Sequence, residues 1–227
     1  MAGRSTQHDP GPGKETAASP GRFGLLLILL IFAYLLSAFV TGQWVNVIQV
    51  VIFTGTALLA LRNWPTPTRV ARLALACVLA VSTAALALLF TTETGTGISN
   101  IWAGLILLAA ALMIVHRVFI FTTVTAQSIY GVLSVYIILG LMFAAFFAAI
   151  DHLGGGHFFT SGQPAATQTF QYFSFTTLTT LGYGDFTAAG NPGRAIAVLE
   201  ALTGQIYLIT LVAFLVAQFR APSDRKH

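Results

Sequence analysis

Apolar residues along this chain gather into six runs: Phe23–Val40, Trp44–Leu61, Leu73–Phe90, Ile101–Val115, Ile129–Ile150 and Ala195–Phe219. A helix needs roughly 20 apolar residues to cross the hydrocarbon of a bilayer, so each run is a candidate span. The fourth run is short, and Val118–Phe121 extends it past His116 and Arg117. Trp64-Pro65-Thr66-Pro67 predicts a tight turn, because proline cannot continue a helix. Thr91–Ser99 is expected to be an external loop. The polar stretch between the last two runs is different. Asp151–Gln163, with Gly154-Gly155-Gly156, predicts an exposed, mobile turret. Thr167–Leu178 is too polar and too short to span. It suits a re-entrant helix, which enters the membrane and turns back.

Composition agrees with a membrane chain. Hydrophobic residues are 56% of the 227 and charged residues 8%, against about a quarter charged in a soluble domain. The polar remainder is too small for a separate soluble domain. One cysteine, Cys77, excludes an intrachain disulfide. It falls in the third run, where it reads as a small buried hydrophobe. The first run reads as a retained helix rather than a signal peptide, given its long polar lead-in and the lack of a clear A-x-A site. Residues 1–22 form a cytoplasmic N-terminus, rich in Gly, Pro, Ser and Thr up to Pro20, and are expected to be disordered.

The net charge of +4 would fit nucleic acid, but its placement follows the membrane rule. Cytoplasmic loops are enriched in Lys and Arg. Arg4, Lys14, Arg22, Arg62, Arg69, Arg72, Arg117, Arg220, Arg225 and Lys226 all fall inside if both ends are cytoplasmic, and only Arg194 falls outside. An even number of spans is required for that. The expectation is a multi-pass protein of the plasma (cytoplasmic) membrane with both termini cytoplasmic, in contact with lipid and not with nucleic acid.

The chemistry is concentrated at Thr176-Thr177-Leu178-Thr179-Thr180-Leu181-Gly182-Tyr183-Gly184-Asp185-Phe186. A potassium ion in a narrow pore sheds its water, and stacked backbone carbonyls can replace those oxygens. Gly182 and Gly184 permit the unusual backbone angles that aim successive carbonyls at one axis. The Thr180 hydroxyl can add a ligand at the inner mouth. Leu181 and Tyr183 turn outward and wedge the strand. The C-terminal end of the Thr167–Leu178 helix carries about half a negative charge and favours a cation beyond it.

This stretch resembles the T-V/I/L-G-Y-G-D signature of the tetrameric potassium channel superfamily. The match is residue by residue, with Leu181 as the middle residue. The resemblance implies a homotetramer in which Thr180, Leu181, Gly182 and Tyr183 coordinate K+, Gly184 completes the filter and Asp185 sits behind the outer mouth. K+ is then the transported ion, and no organic cofactor is implied. Two positions depart from the pattern. The family's aromatic donors that tether the filter tyrosine fall at Tyr172 and Phe173, and Phe173 has no donor. Some bacterial members carry a pore-helix Glu where Thr176 stands, so filter stability and slow inactivation do not carry over.

Glu200 lies in the outer half of the sixth run, and an acid inside a span is a functional candidate by default. It is expected to pack behind the filter against hydroxyls such as Thr176 or Thr177. A purely structural carboxylic acid is the alternative. Gln205 either faces the cavity or makes an interhelical hydrogen bond. Gly204 matches the family's inner-helix hinge, but close helix packing is favoured because no Pro-x-Pro follows. Leu208, Val212, Val216 and Phe219 follow a helical stripe that suits an apolar constriction, unless some face lipid or the fifth span.

The fourth run contains no Lys or Arg, whereas moving one charge through 100 mV yields only about 2.3 kcal/mol and a sensor needs several. Weak or absent voltage sensing is expected. Asn46 and Gln49 read as helix–helix glue. The tail after Phe219 is too short for a nucleotide- or calcium-binding domain. His8, Asp151, His152 and His157 form a loose polar group whose spacing is weak support for a metal. Without a nucleophile–base pair or a phosphate loop, an enzyme is not expected.

The expected fold is all-α, with six transmembrane helices and a re-entrant pore helix and filter between the fifth and sixth. Residues 23–121 form a four-helix region lacking sensor charges, 122–220 the pore domain and 221–227 a short cytoplasmic tail. The expected function is passive, potassium-selective conduction. The alternatives are a non-selective cation channel, which would tolerate a broken Gly-Tyr-Gly, and a subunit of a potassium uptake transporter, which would carry several degenerate pore loops in one chain.

Overall fold

In the computed structural model, the residues described are 22–39, 92–120, 126–162 and 165–219, with 49, 51–56, 58–59, 77 and 81. Five named helices lie among them: α1 (Arg22–Phe39), α2 (Glu93–Ile120), α3 (Ala126–Leu153), α4 (Thr167–Leu178) and α5 (Asn191–Phe219). Three are long and apolar enough to cross a membrane: Glu93–His116 of α2, Ser128–Leu153 of α3 and Asn191–Phe214 of α5. The α1 stretch Phe23–Phe39 is a shorter apolar helix. Parts of the second and third apolar runs are helical, at residues 49, 51–56, 58–59, 77 and 81. The rest of both runs, most of the N-terminal segment and the tail beyond Phe219 lie outside the described residues. Cys77, expected to be buried, is exposed.

The loop expected at Thr91–Ser99 is mostly helix. The Thr92 hydroxyl accepts a hydrogen bond from the Gly95 amide at 3.0 Å, which caps the first turn of α2. Glu93 sits in that first turn, where a negative charge complements the positive helix end. Hydropathy did not reveal this extension, because Thr, Gly, Ser and Asn dominate the turn.

Helix α3 is the central element. It packs against α1, α2, α4 and α5. Apolar burial drives packing weakly between helices in lipid, so close approach and interhelical hydrogen bonds carry more of the association. Gly104 of α2 fits that rule: a Cβ there would lie 2.5 Å from the Phe146 ring of α3. The Ser37 hydroxyl of α1 bonds to Gln171 of α4, and the Tyr34 ring meets Phe175 edge-on at 5.0 Å.

The turret expectation is corrected at two residues. Gly154–His157 is exposed, but Phe158 and Phe159 are buried. The Asp151 carboxylate accepts a 2.7 Å hydrogen bond from the Phe158 amide and turns the chain inward. Both rings join Phe147, Phe170 and Phe173, with centroids 4.9–5.8 Å apart in the pairs they form. Edge-on aromatic pairs contribute about 0.5–1.5 kcal/mol each beyond burial. A bridge between Phe159 and Ala188 then ties this loop to the chain after the Gly-Tyr-Gly segment, through Thr160 N to Thr187 O at 3.0 Å and Ala189 N to Phe158 O at 2.8 Å.

Candidate functional site

The candidate site is built on α4 and α5. Helix α4 covers Thr167–Leu178 with Ala166 as an extended N-cap residue. At its other end the Thr179 amide donates to Phe175 O at 3.1 Å and the Thr180 amide to Thr177 O at 2.9 Å. Helical geometry stops there because Thr180 takes a left-handed φ of 59°. For a β-branched residue that backbone is unfavourable, by about 1–2 kcal/mol. Gly182 and Gly184 follow with φ of 50° and 81°, which glycine adopts freely. Left-handed backbone thus recurs at every second residue.

Two bonds anchor this segment. The Gly182 amide donates to Thr176 O at 3.1 Å, which folds the strand back along α4. Gln205 Nε2 of α5 donates to the Thr180 hydroxyl at 3.3 Å. The Gln205 bond therefore runs from α5 to the first residue of the segment, just beyond the end of α4, and is not a bond between two helices. Thr177 accepts from Thr180 through its backbone, and the Thr176 hydroxyl bonds back to Phe173 O at 2.9 Å. Leu181 and Tyr183 project their side chains to the surface of the single chain, 59% and 69% exposed.

The aromatic pair on α4 divides its work. Phe173 is buried among the phenylalanines. Tyr172 bonds through its hydroxyl to Asp185, and this bond raises the phenol pKa above its ordinary value. The Tyr172 ring also meets Phe186 at 5.9 Å. The donor on α4 therefore reaches the aspartate, two residues past the tyrosine it was compared with.

Glu200 is completely buried behind α4. Its partner is Ser174, not Thr176 or Thr177. Ser174 escaped the sequence reading. The available signal was its position three and four residues before Thr177 and Leu178 on one helical face. Four residues beyond Glu200, Gly204 presses on the end of α4: a Cβ there would lie 2.3 Å from Leu178 O. Close packing accounts for this glycine without invoking a bend.

Leu208, Val212 and Val216 lie exposed along α5, and Phe219 is its last residue. Asp151 is engaged with Phe158, and His152 Nδ1 lies 3.6 Å from Glu93 Oε2. Among the described residues, no group of three His, Cys, Asp or Glu side chains is placed to hold a metal ion.

No curated protein and no solved structure matches the chain. Residues 135–221, which run from α3 through the Gly-Tyr-Gly segment and past the end of α5, match the family model described as an ion channel, and this supports an ion channel family for that part of the chain.

Proposed function

We propose that the protein is a potassium-selective channel, with Thr180–Gly184 as its filter, α4 as a re-entrant pore helix, α3 as the outer helix and α5 as the inner helix. The observation that carries the reading is the alternation of left-handed backbone at Thr180, Gly182 and Gly184. Such alternation turns successive peptide planes so that their carbonyls can line one side of the strand and replace the hydration of K+. The ion channel match over residues 135–221 supports passive conduction through this region.

One chain supplies one strand, and a ring of carbonyls needs several, so the working unit is a homotetramer. The uncovered side chains of Leu181 and Tyr183 and the open face of α5 fit burial against neighbouring copies. Non-helical backbone at membrane depth is tolerated only when covered by protein or facing a water-filled cavity. The apolar runs before α2 complete six spans, and the lack of Lys or Arg in α2 before Arg117 fits weak voltage sensing.

The test is reconstitution in liposomes with K+ on one side and Na+ on the other. A reversal potential near the potassium equilibrium value is expected. Equal permeation of Na+ would overturn the reading in favour of a non-selective cation channel.

A further inference from the structure

Ser174 of α4 stands where three helices meet. Its Oγ lies 2.6 Å from the Gly140 carbonyl of α3 and 2.5 Å from Glu200 Oε1 of α5. Ser174 and Glu200 are both fully buried. A Cβ on Gly140 would sit 2.6 Å from the Phe175 ring, so the helices are already in close contact.

The proton count at this junction is restrictive. A serine hydroxyl has one proton to donate and two lone pairs to accept with. The Gly140 carbonyl can only accept. If Glu200 were ionised it too could only accept, and one of these two short oxygen–oxygen contacts would lack a proton. If Glu200 carries a proton, Glu200 donates to Ser174, Ser174 donates to Gly140, and both contacts become hydrogen bonds. The surroundings agree. Glu200 Oε2 is buried with no hydrogen-bond partner among the described residues, and a buried carboxylate so placed would be costly. The titratable group facing it is Tyr136 of α3, whose hydroxyl reaches Leu178 O at 3.4 Å. On the other packed surfaces, Tyr172 of α4 is engaged with Asp185, Tyr207 of α5 donates to Val132 O, and Tyr34 of α1 lies against Phe175. None of them brings a positive charge.

We propose that Glu200 is a positioning residue that holds a proton and donates it to Ser174, locking α4 to α3 and α5. Two residues after Ser174, the Thr176 carbonyl holds the Gly182 amide. Loss of the Glu200 proton therefore loosens the helix on which the Thr180–Gly184 segment hangs. The consequence for conduction rests on the channel reading; the proton assignment does not.

The full-length protein in liposomes tests both parts. Infrared spectroscopy at neutral pH is expected to show a protonated-carboxyl carbonyl band that disappears in Glu200→Gln. Potassium flux is expected to fall about tenfold on strong alkalinisation, the size of one lost buried hydrogen bond. Glu200→Gln, whose amide can donate to Ser174 from the same place, keeps its flux and lacks the alkaline fall. Should Glu200→Gln fail to fold, Ser174→Ala decides through the same band, which shifts if Ser174 is the acceptor. An infrared spectrum unchanged by these variants overturns the proposal even if the protein conducts. A band lost as expected, with no potassium flux in any variant, retains the proton assignment and removes the channel reading instead.

Discussion

Helices α3 and α5 are both long enough and apolar enough to span a bilayer, yet they are used in opposite ways. The span window of α3 is 67% buried within the single chain and that of α5 only 11%. On α3 most covered positions are apolar, with Ile138, Leu141 and Phe147 almost wholly enclosed and Ser134 the buried polar exception. On α5 the covered positions among the described residues are Gly193, Glu200 and Gly204, while Val198, Leu199, Leu202, Ile206 and Ile209 are open. Helix α3 thus organises the single chain, whereas α5 offers it a narrow polar and small-residue seam and leaves a broad apolar face open. Similar hydropathy conceals this difference, because hydropathy records what a helix can bury and not what covers it.

The largest expected effect sets the two helices against each other directly. Phe147→Ala on α3 should cost about 3–5 kcal/mol, as for other buried phenylalanines, and lower the thermal midpoint in detergent. Ile209→Ala on α5 should leave that midpoint nearly unchanged and weaken the proposed tetramer on size-exclusion chromatography with light scattering. Equal effects of both variants on the single chain would break the comparison.

Gly204→Val tests the seam itself. Its Cβ meets Leu178 O at 2.3 Å, and overpacking of this kind costs about 1–3 kcal/mol. Thermal unfolding should show the loss, and an unperturbed midpoint would mean that α5 does not rely on this approach. Gly182→Ala follows, at about 1–2 kcal/mol for a left-handed residue with a Cβ. Potassium flux should vanish while helix content by circular dichroism stays intact.

Gln205→Leu removes the bond from α5 to the Thr180 hydroxyl, worth about 1 kcal/mol. The K+ to Na+ permeability ratio should fall about fivefold, which follows from that energy. The smallest effect is at Tyr172. Its pKa is raised by the bond to Asp185, so the bond contributes at neutral pH and fades as pH rises through the raised value. Wild type should exceed Tyr172→Phe slightly in stability at neutral pH, and the two should converge at strongly alkaline pH. A constant difference would remove Asp185 as the partner.

Several elements were legible in the sequence for clear reasons. The helix at Thr167–Leu178 stands out because a polar dozen between apolar runs has few other uses. The left-handed positions at Gly182 and Gly184 follow from the residue type. The left-handed Thr180 does not, because propensity argues against it and only the bonds of the folded segment hold it. The burial of Phe158 and Phe159 was hidden by their place in a glycine-rich loop, and it needed the Asp151 cap and the ring cluster to appear. The choice of Ser174 over Thr176 or Thr177 depended on the rotation of α4, which spacing alone leaves undetermined.

Where apolar length, glycine and charge fall can be read directly from the residues, because these are properties of single positions and short windows. Which face of each helix is covered, and which hydroxyl meets Glu200, emerges from the packed helices. Those outcomes depend on the relative rotation and approach of α3, α4 and α5, set by long-range contacts such as Gly204 against Leu178.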